Sequence, residues 1–233
     1  MSNEGNSKIL QVKAVLIGDA GVGKTCIIKR FTNVNFDENN PSSISSEYSR
    51  KEFTIKEIDK TIIFNIWDTA GQEVYRSLAQ IFFKDAQIII LVYDITNKNS
   101  FENLIKYWYP QVISNSLDNV ILGIAGNKND LYSEAEVIEE EAITWADKIG
   151  AIFSSTSASS NSGINFLFEM LGRKLFNPHF NYKSIEEEKK QQYKKKKMKN
   201  KDDDEDDDDE IFNNPHNDSI KINKNSKKIK KCC

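Results

Sequence analysis

The 233-residue chain has only three cysteines and two histidines, and no apolar run approaches the roughly 20 residues a bilayer-spanning helix needs. Cys26 stands far from the terminal pair Cys232 and Cys233, so no disulfide framework is on offer. His179 and His216 have no partners at metal-ligand spacing, which sets aside a histidine-based metal centre. Residues 1–8 are too polar for a signal peptide, and Ser2 rather than Gly follows Met1, so N-myristoylation is not expected either. No charge of one sign dominates, since the net value at pH 7 is only −3. Without a basic excess or an aromatic platform beside the lysines, nucleic-acid binding is not expected. These absences describe a protein whose body is cytosolic.

The composition changes near Pro178. Residues 1–177 carry 17 Lys and Arg against 22 Asp and Glu, a balance typical of a globular domain. Residues 178–233 carry 15 Lys against 13 acids, sorted into blocks of one sign: lysines over 189–201, nine acids over 202–210, lysines again before the end. Such blocks, poor in aromatics, bury too little apolar surface to offset the entropy of ordering. The expected organisation is a flexible stretch 1–9, one domain over 10–177 and a disordered tail over 178–233. About 170 residues suffice for one well-buried core.

Within the domain, β-rich apolar runs at 12–17, 52–58, 61–67, 87–93, 120–125 and 151–155 predict six strands. Runs two and three are separated only by Asp59 and Lys60, too short for a crossover, so they predict an antiparallel hairpin. Helix-like stretches at 25–31, 73–84, 99–113, 133–149 and 162–176 separate the others and imply right-handed parallel crossovers. The fold class is therefore α/β, a six-stranded mixed sheet with five parallel strands, one antiparallel strand and helices on both faces. Ligands of such sheets sit outside the carboxyl ends of the strands.

Two motifs stand at those ends. Residues 18–25, Gly-Asp-Ala-Gly-Val-Gly-Lys-Thr, lie between a predicted strand and a predicted helix and fit the P-loop pattern. Ala20, Gly21 and Gly23 leave room for backbone N–H groups to converge on a phosphate at a helix N-terminus, with Asp19, Val22 and Cys26 completing the cradle. Lys24 would reach the β- and γ-phosphates, and the Thr25 hydroxyl would bind Mg²⁺. Strand three ends in Trp67-Asp68-Thr69-Ala70-Gly71-Gln72-Glu73, where Asp68 would hold Mg²⁺ through water, Gly71 would offer its N–H to a γ-phosphate and Gln72 would orient the attacking water. The second motif, Asn127-Lys128-Asn129-Asp130, follows strand five. A carboxylate at 130 can accept from both N1–H and the 2-amino group of guanine, a pair of donors adenine lacks.

These motifs, with Thr156-Ser157-Ala158 and Tyr93-Asp94-Ile95-Thr96, resemble the Ras-superfamily small GTPases over about residues 10–177, and most of all their Rab branch. The runs 75–79, 85–87 and 126–128 are similar to the early-endosomal members. The resemblance implies that Lys128 packs over the nucleotide, that Ala158 gives a backbone N–H to the base carbonyl with Ser157 and Ser159 beside it, and that Phe36 lies edge-on to the ring. It implies slow hydrolysis of bound GTP to GDP, with switch segments 38–48 and 70–80 read by effectors. An exchange factor, a GTPase-activating protein, a GDP-dissociation inhibitor and a prenylation escort protein are the implied partners of a monomeric switch.

Three positions depart from the family. The usual Mg²⁺-binding threonine is Ser43, which keeps the hydroxyl but lacks the methyl group that restricts χ1. The usual glycine after the next Ile is Ser45, which is expected to disturb the same loop, and the usual lysine of Ser-Ala-Lys is Ser159, so weaker nucleotide affinity is expected with base choice unaltered. At the other end, six Lys in the eleven residues before Cys232 form a basic signal for an anionic leaflet. The terminal Cys232-Cys233 resembles a Rab double geranylgeranylation site, and two lipid chains anchor firmly where one does not. The expected location is the cytosolic face of endosomal or secretory membranes, with a soluble pool. Two other classes stay open: a P-loop kinase, which would have no use for Asn127 and Asp130, and a GTP-binding scaffold whose altered loop at Ser43 and Ser45 hydrolyses nothing.

Overall fold

The computed structural model describes residues 9–32, 47–69 and 82–183. Six strands form one sheet in the order β2-β3-β1-β4-β5-β6. They are β1 (Leu10–Ile17), β2 (Glu47–Ile55), β3 (Lys60–Asp68), β4 (Ile88–Asp94), β5 (Ile121–Asn127) and β6 (Ile152–Ser155). Only the β2–β3 pairing is antiparallel. Every residue of β4 is buried, as expected of a seven-residue run, Ile-Ile-Ile-Leu-Val-Tyr-Asp, that has a strand on either side and helices on both faces.

Successive side chains of a strand point to opposite faces, and here they sort into two cores. Leu16, Phe64, Ile88, Ile90 and Val92 face α1 (Lys24–Phe31) and a long C-terminal helix. Ile17, Ile89, Leu91 and Tyr93 face the other layer of helices. That second layer holds α2 (Lys98–Asn103), a π-helical segment Leu104–Trp108, α3 (Tyr109–Asn115) and α4 (Glu139–Ile149). The first layer is completed by α5 (Ile164–Phe176), whose Phe168 stacks on Phe31 at 3.7 Å between centroids while Phe64 meets both edge-on.

Three expectations are corrected by local chemistry. The β2–β3 connection is longer than Asp59 and Lys60: β2 stops at Ile55, a 3₁₀ turn fills Lys56–Ile58, and Lys60 already pairs with Ile55. The inward alternation Phe53, Ile55 meets Glu57 at its next step, so the strand cannot continue. The helix expected over 133–149 begins only at Glu139. Residues 129–134 form a 3₁₀ segment, and the N–H groups of Glu136 and Val137 both donate to the Ile95 carbonyl, at 2.8 and 3.1 Å. The helical stretch expected over 99–113 spans Lys98–Asn115 and includes one turn of π geometry over Leu104–Trp108.

Packing also continues past 177, since Phe180 and Tyr182 rest against the α1/α5 core and the Lys183 ammonium pairs with Asp147 at 2.6 Å. The helix expected over 73–84 lies largely outside the described residues.

Candidate functional site

Because β1, β3, β4, β5 and β6 run parallel, their carboxyl ends share one edge of the sheet, and the loops that follow them meet there. The first loop joins β1 to α1. Gly18 has φ +144° and a Cβ there would lie 2.1 Å from the Val92 carbonyl oxygen; Gly23 has φ +95° and a Cβ would lie 2.3 Å from Asn127 Nδ2. Any side chain at either point would push the loop away from β4 and β5. Around Gly21, by contrast, a Cβ would meet nothing within 4 Å. The loop is therefore pinned on the sheet side and open on the other.

Val22 and Cys26 point into the α1/α5 core, so only their backbone is available to a ligand, and Ala20 is exposed. Lys24 is buried, with its ammonium donating to the carbonyls of Gly18 at 2.9 Å and Asp19 at 2.8 Å. Burial pushes this ammonium down to about 8, against the pull of Asp68 and Asp19 in the opposite direction. The Thr25 hydroxyl donates to the Asp68 carboxylate, which brings the last residue of β3 against the first turn of α1. Thr69 ties the next residue down by donating to the Leu16 carbonyl at 2.7 Å.

The loops after β5 and β6 interlock with this one. Asn127 donates to the Val22 carbonyl at 2.8 Å and accepts from the Thr156 hydroxyl at 3.3 Å, which joins three loops through one buried amide. The Asn129 N–H donates to the Thr156 carbonyl at 3.0 Å. The Asp130 carboxylate accepts from the Ser157 hydroxyl, and that hydroxyl oxygen in turn accepts from the Ser160 N–H at 3.0 Å. Lys128, in a left-handed conformation at φ +68°, pairs with Asp94 at 2.6 Å. Ala158, which follows Ser157, is buried, and Ser159 is partly buried.

The edge thus presents a recessed cation beside an open loop, a hydroxyl–carboxylate pair suited to a hard divalent ion, and a second carboxylate oriented by its neighbour.

A profile of the Ras family matches residues 13–177. The chain belongs to the Ras family. It is similar to the Ras-related protein Rab-5A of Dictyostelium discoideum, 38% identical over 170 residues that cover 73% of this chain and 83% of that protein. Ras-related protein Rab5A of Oryza sativa subsp. japonica is 38% identical over 174 residues, 75% of this chain and 84% of its own. Ras-related protein Rab-22A of Canis lupus familiaris is 39% identical over 165 residues, covering 71% and 84%. The chain is accordingly a Rab-type small GTPase with the P-loop GTPase fold, and its reaction is hydrolysis of GTP to GDP and phosphate.

Seen as a GTPase, the molecule brings together the predicted Asp19, Ala20, Gly21, Val22, Gly23, Lys24, Thr25, Cys26, Asp68, Asn127, Lys128, Asp130, Ser157, Ala158 and Ser159. Phe36, Ser43, Ser45, Gly71, Gln72, Cys232 and Cys233 lie outside the described residues, as do nearly all of segment 38–48 and all of 70–80.

Four supporting residues carried no expected role at the site, although Asp94 stands in a motif already noted. Asp94 orients Lys128, and the signal was available: like Asp68, it is a carboxylate that ends an apolar strand. Asn103 and Trp108, at the two ends of the π turn, both donate to the Asp19 carboxylate, at 2.6 and 2.9 Å. Arg30 donates to the carbonyls of Ala158 and Ser159 at 2.6 and 2.8 Å. Nothing local in the sequence marks these three, because each partner lies 84 or more residues away.

Proposed function

We propose that this GTPase regulates vesicle traffic on endosomal membranes by alternating between GDP- and GTP-bound states. The single observation that supports the reading is the hydrogen-bonded interlock of residues 18–25 with 127–130 and 156–159, which brings the phosphate-type loop and Asp130 to the same edge of the sheet. The open space before Gly21 and the recessed Lys24 ammonium fit a polyphosphate, and the Thr25–Asp68 pair fits Mg²⁺. Asp130 takes the guanine N1–H and 2-amino group, Ala158 offers its N–H to the base carbonyl, and Phe36 flanks the ring.

Thr25, Ser43 and Asp68 are the residues that would hold Mg²⁺, which when bound neutralises developing phosphate charge. Lys24 supplies fixed charge, Gly71 an N–H donor, and Gln72 orients the attacking water. No arginine finger is evident in the sequence, so unaided turnover is expected to be slow, about 10⁻⁴ s⁻¹ if it follows Ras, and a GTPase-activating protein is expected to accelerate it about 10⁵-fold. Segments 38–48 and 70–80 respond to the γ-phosphate and are read by effectors. Geranylgeranyl groups on Cys232 and Cys233, with the adjacent lysines, hold the protein at the membrane; an escort protein and a GDP-dissociation inhibitor handle the lipidated form. Similarity to proteins named Rab-5A and Rab-22A supports the endosomal placement.

Single-turnover hydrolysis of labelled GTP tests the enzymatic half. The expected result is phosphate released to water, with Gln72→Leu slower by an order of magnitude or more. Equal rates in both proteins favour a non-hydrolysing scaffold, and label appearing on an added acceptor favours a kinase.

A further inference from the structure

Arg30 lies on α1, six residues beyond Lys24, and its guanidinium reaches across to the loop after β6. Nε donates to the Ala158 carbonyl at 2.6 Å and Nη2 to the Ser159 carbonyl at 2.8 Å. Both contacts are partly buried, and both come from a planar, always charged group whose donors have fixed relative directions. Two consecutive carbonyls held by one fork leave the peptide planes there little freedom. The Ala158 N–H belongs to the peptide unit immediately before the first of them. Elsewhere this loop is tied through the Ser157 hydroxyl to Asp130 and through Thr156 to Asn127. The Ser160 N–H also donates to the Ser157 hydroxyl at 3.0 Å, so that bond and the fork share the peptide unit after Ser159, while the Ala158 carbonyl is held by Arg30. The residue at 159 is a serine, too short to brace the loop from its far side.

We propose that Arg30 is a positioning residue for the carbonyl edge of the bound base. By fixing the Ala158 and Ser159 carbonyls it orients the Ala158 N–H toward guanine O6. This rests on the reading that Ala158 and Asp130 take the two ends of guanine. It adds that α1, the helix that begins under the phosphates, also sets the geometry of base recognition. The consequence is selective. Loss of the fork weakens the contact to O6 and leaves the contact of Asp130 to N1–H and the 2-amino group in place.

The test is a double-mutant cycle between protein and nucleotide. Full-length wild type and Arg30→Met, which keeps the aliphatic stem and removes every donor, are titrated with three nucleotides. GDP offers both ends of the base. 6-Thioguanosine diphosphate lacks O6, carrying sulfur, a weak acceptor, in its place while keeping N1–H and the 2-amino group, and IDP lacks the 2-amino group. Removing charge-assisted bonds predicts roughly a tenfold loss of GDP affinity in Arg30→Met. The loss for the nucleotide without O6 is expected to be no more than about twofold, while the GDP-to-IDP ratio stays at the wild-type value. Arg30→Lys, with one point charge in place of a fork, is expected to recover only part of the GDP affinity.

Equal losses for GDP and the O6-lacking nucleotide overturn the proposal, because they show Arg30 acting on general stability alone. A wild type that binds GDP and the O6-lacking nucleotide equally overturns the reading of Ala158 on which it rests. If Arg30→Met does not fold, Arg30→Lys read against the same three nucleotides decides between the same outcomes.

Discussion

Lys24 makes the clearest prediction for a single residue. In the folded chain without nucleotide its ammonium is desolvated and drops from 10.5 to about 8, so between those values the unfolded chain binds the more protons. Stability of the nucleotide-free protein therefore rises with pH across that window, by about 3 kcal/mol in all, because the charged form is the one that folding penalises. Denaturation by urea at a series of pH values measures it. Lys24→Met should flatten that part of the profile relative to wild type, and saturating GDP should abolish it as well, since a phosphate stabilises the charged lysine. Most residues of this site were legible one at a time, because Lys24, Thr25, Asp68 and Asp130 each stand at a fixed offset from a glycine or a strand end. What could not be read was their mutual satisfaction. That Asn127 is spent on Val22 and Thr156, and Asp130 partly on Ser157, follows only from the folded positions of loops about 30 to 100 residues apart.

Among the elements, α5 and the π turn carry separate predictions. Phe168 stacks on Phe31, directly behind the phosphate loop's helix, and both are fully buried. Phe168→Ala is expected to cost about 3–5 kcal/mol in thermal or urea unfolding, the range for removing a large aromatic from a packed core. The Trp108 indole and the Asn103 amide hold the Asp19 carboxylate, while the Asp19 carbonyl accepts from Lys24. Trp108→Phe keeps the ring and removes the donor, so GDP release, followed by fluorescence of a labelled nucleotide, is expected to quicken several-fold; an unchanged rate would leave the clamp without influence on the loop. The sequence was informative about which elements exist and poor on their edges. Strong period-two and apolar runs marked all six strands. The π turn left no trace, because widening one turn changes no residue's hydropathy, and the late start of α4 reflects N–H groups spent on Ile95 rather than any helix-breaking residue.

For the whole molecule, the proposed function joins a nucleotide switch to a tail that would carry lipid. No helix among the described residues is long and apolar enough to cross a membrane; the proposed anchor is Cys232 and Cys233 with the preceding lysines. A tagged full-length protein is expected on vesicle membranes, and its Cys232→Ser/Cys233→Ser version in the cytosol; identical distributions would refute the lipid anchor. The chemistry of the cleft is a separate matter and rests on which purine it accepts. Calorimetric titration of nucleotide-free protein with GDP, ADP and XDP, repeated for Asp130→Asn, tests that most directly. The expected result is a preference for GDP over ADP of about 10³-fold or more, with Asp130→Asn losing GDP and gaining XDP, because xanthine offers an acceptor where guanine has its amino group. ADP bound as tightly as GDP, or an Asp130→Asn protein with no gain toward XDP, would contradict the account.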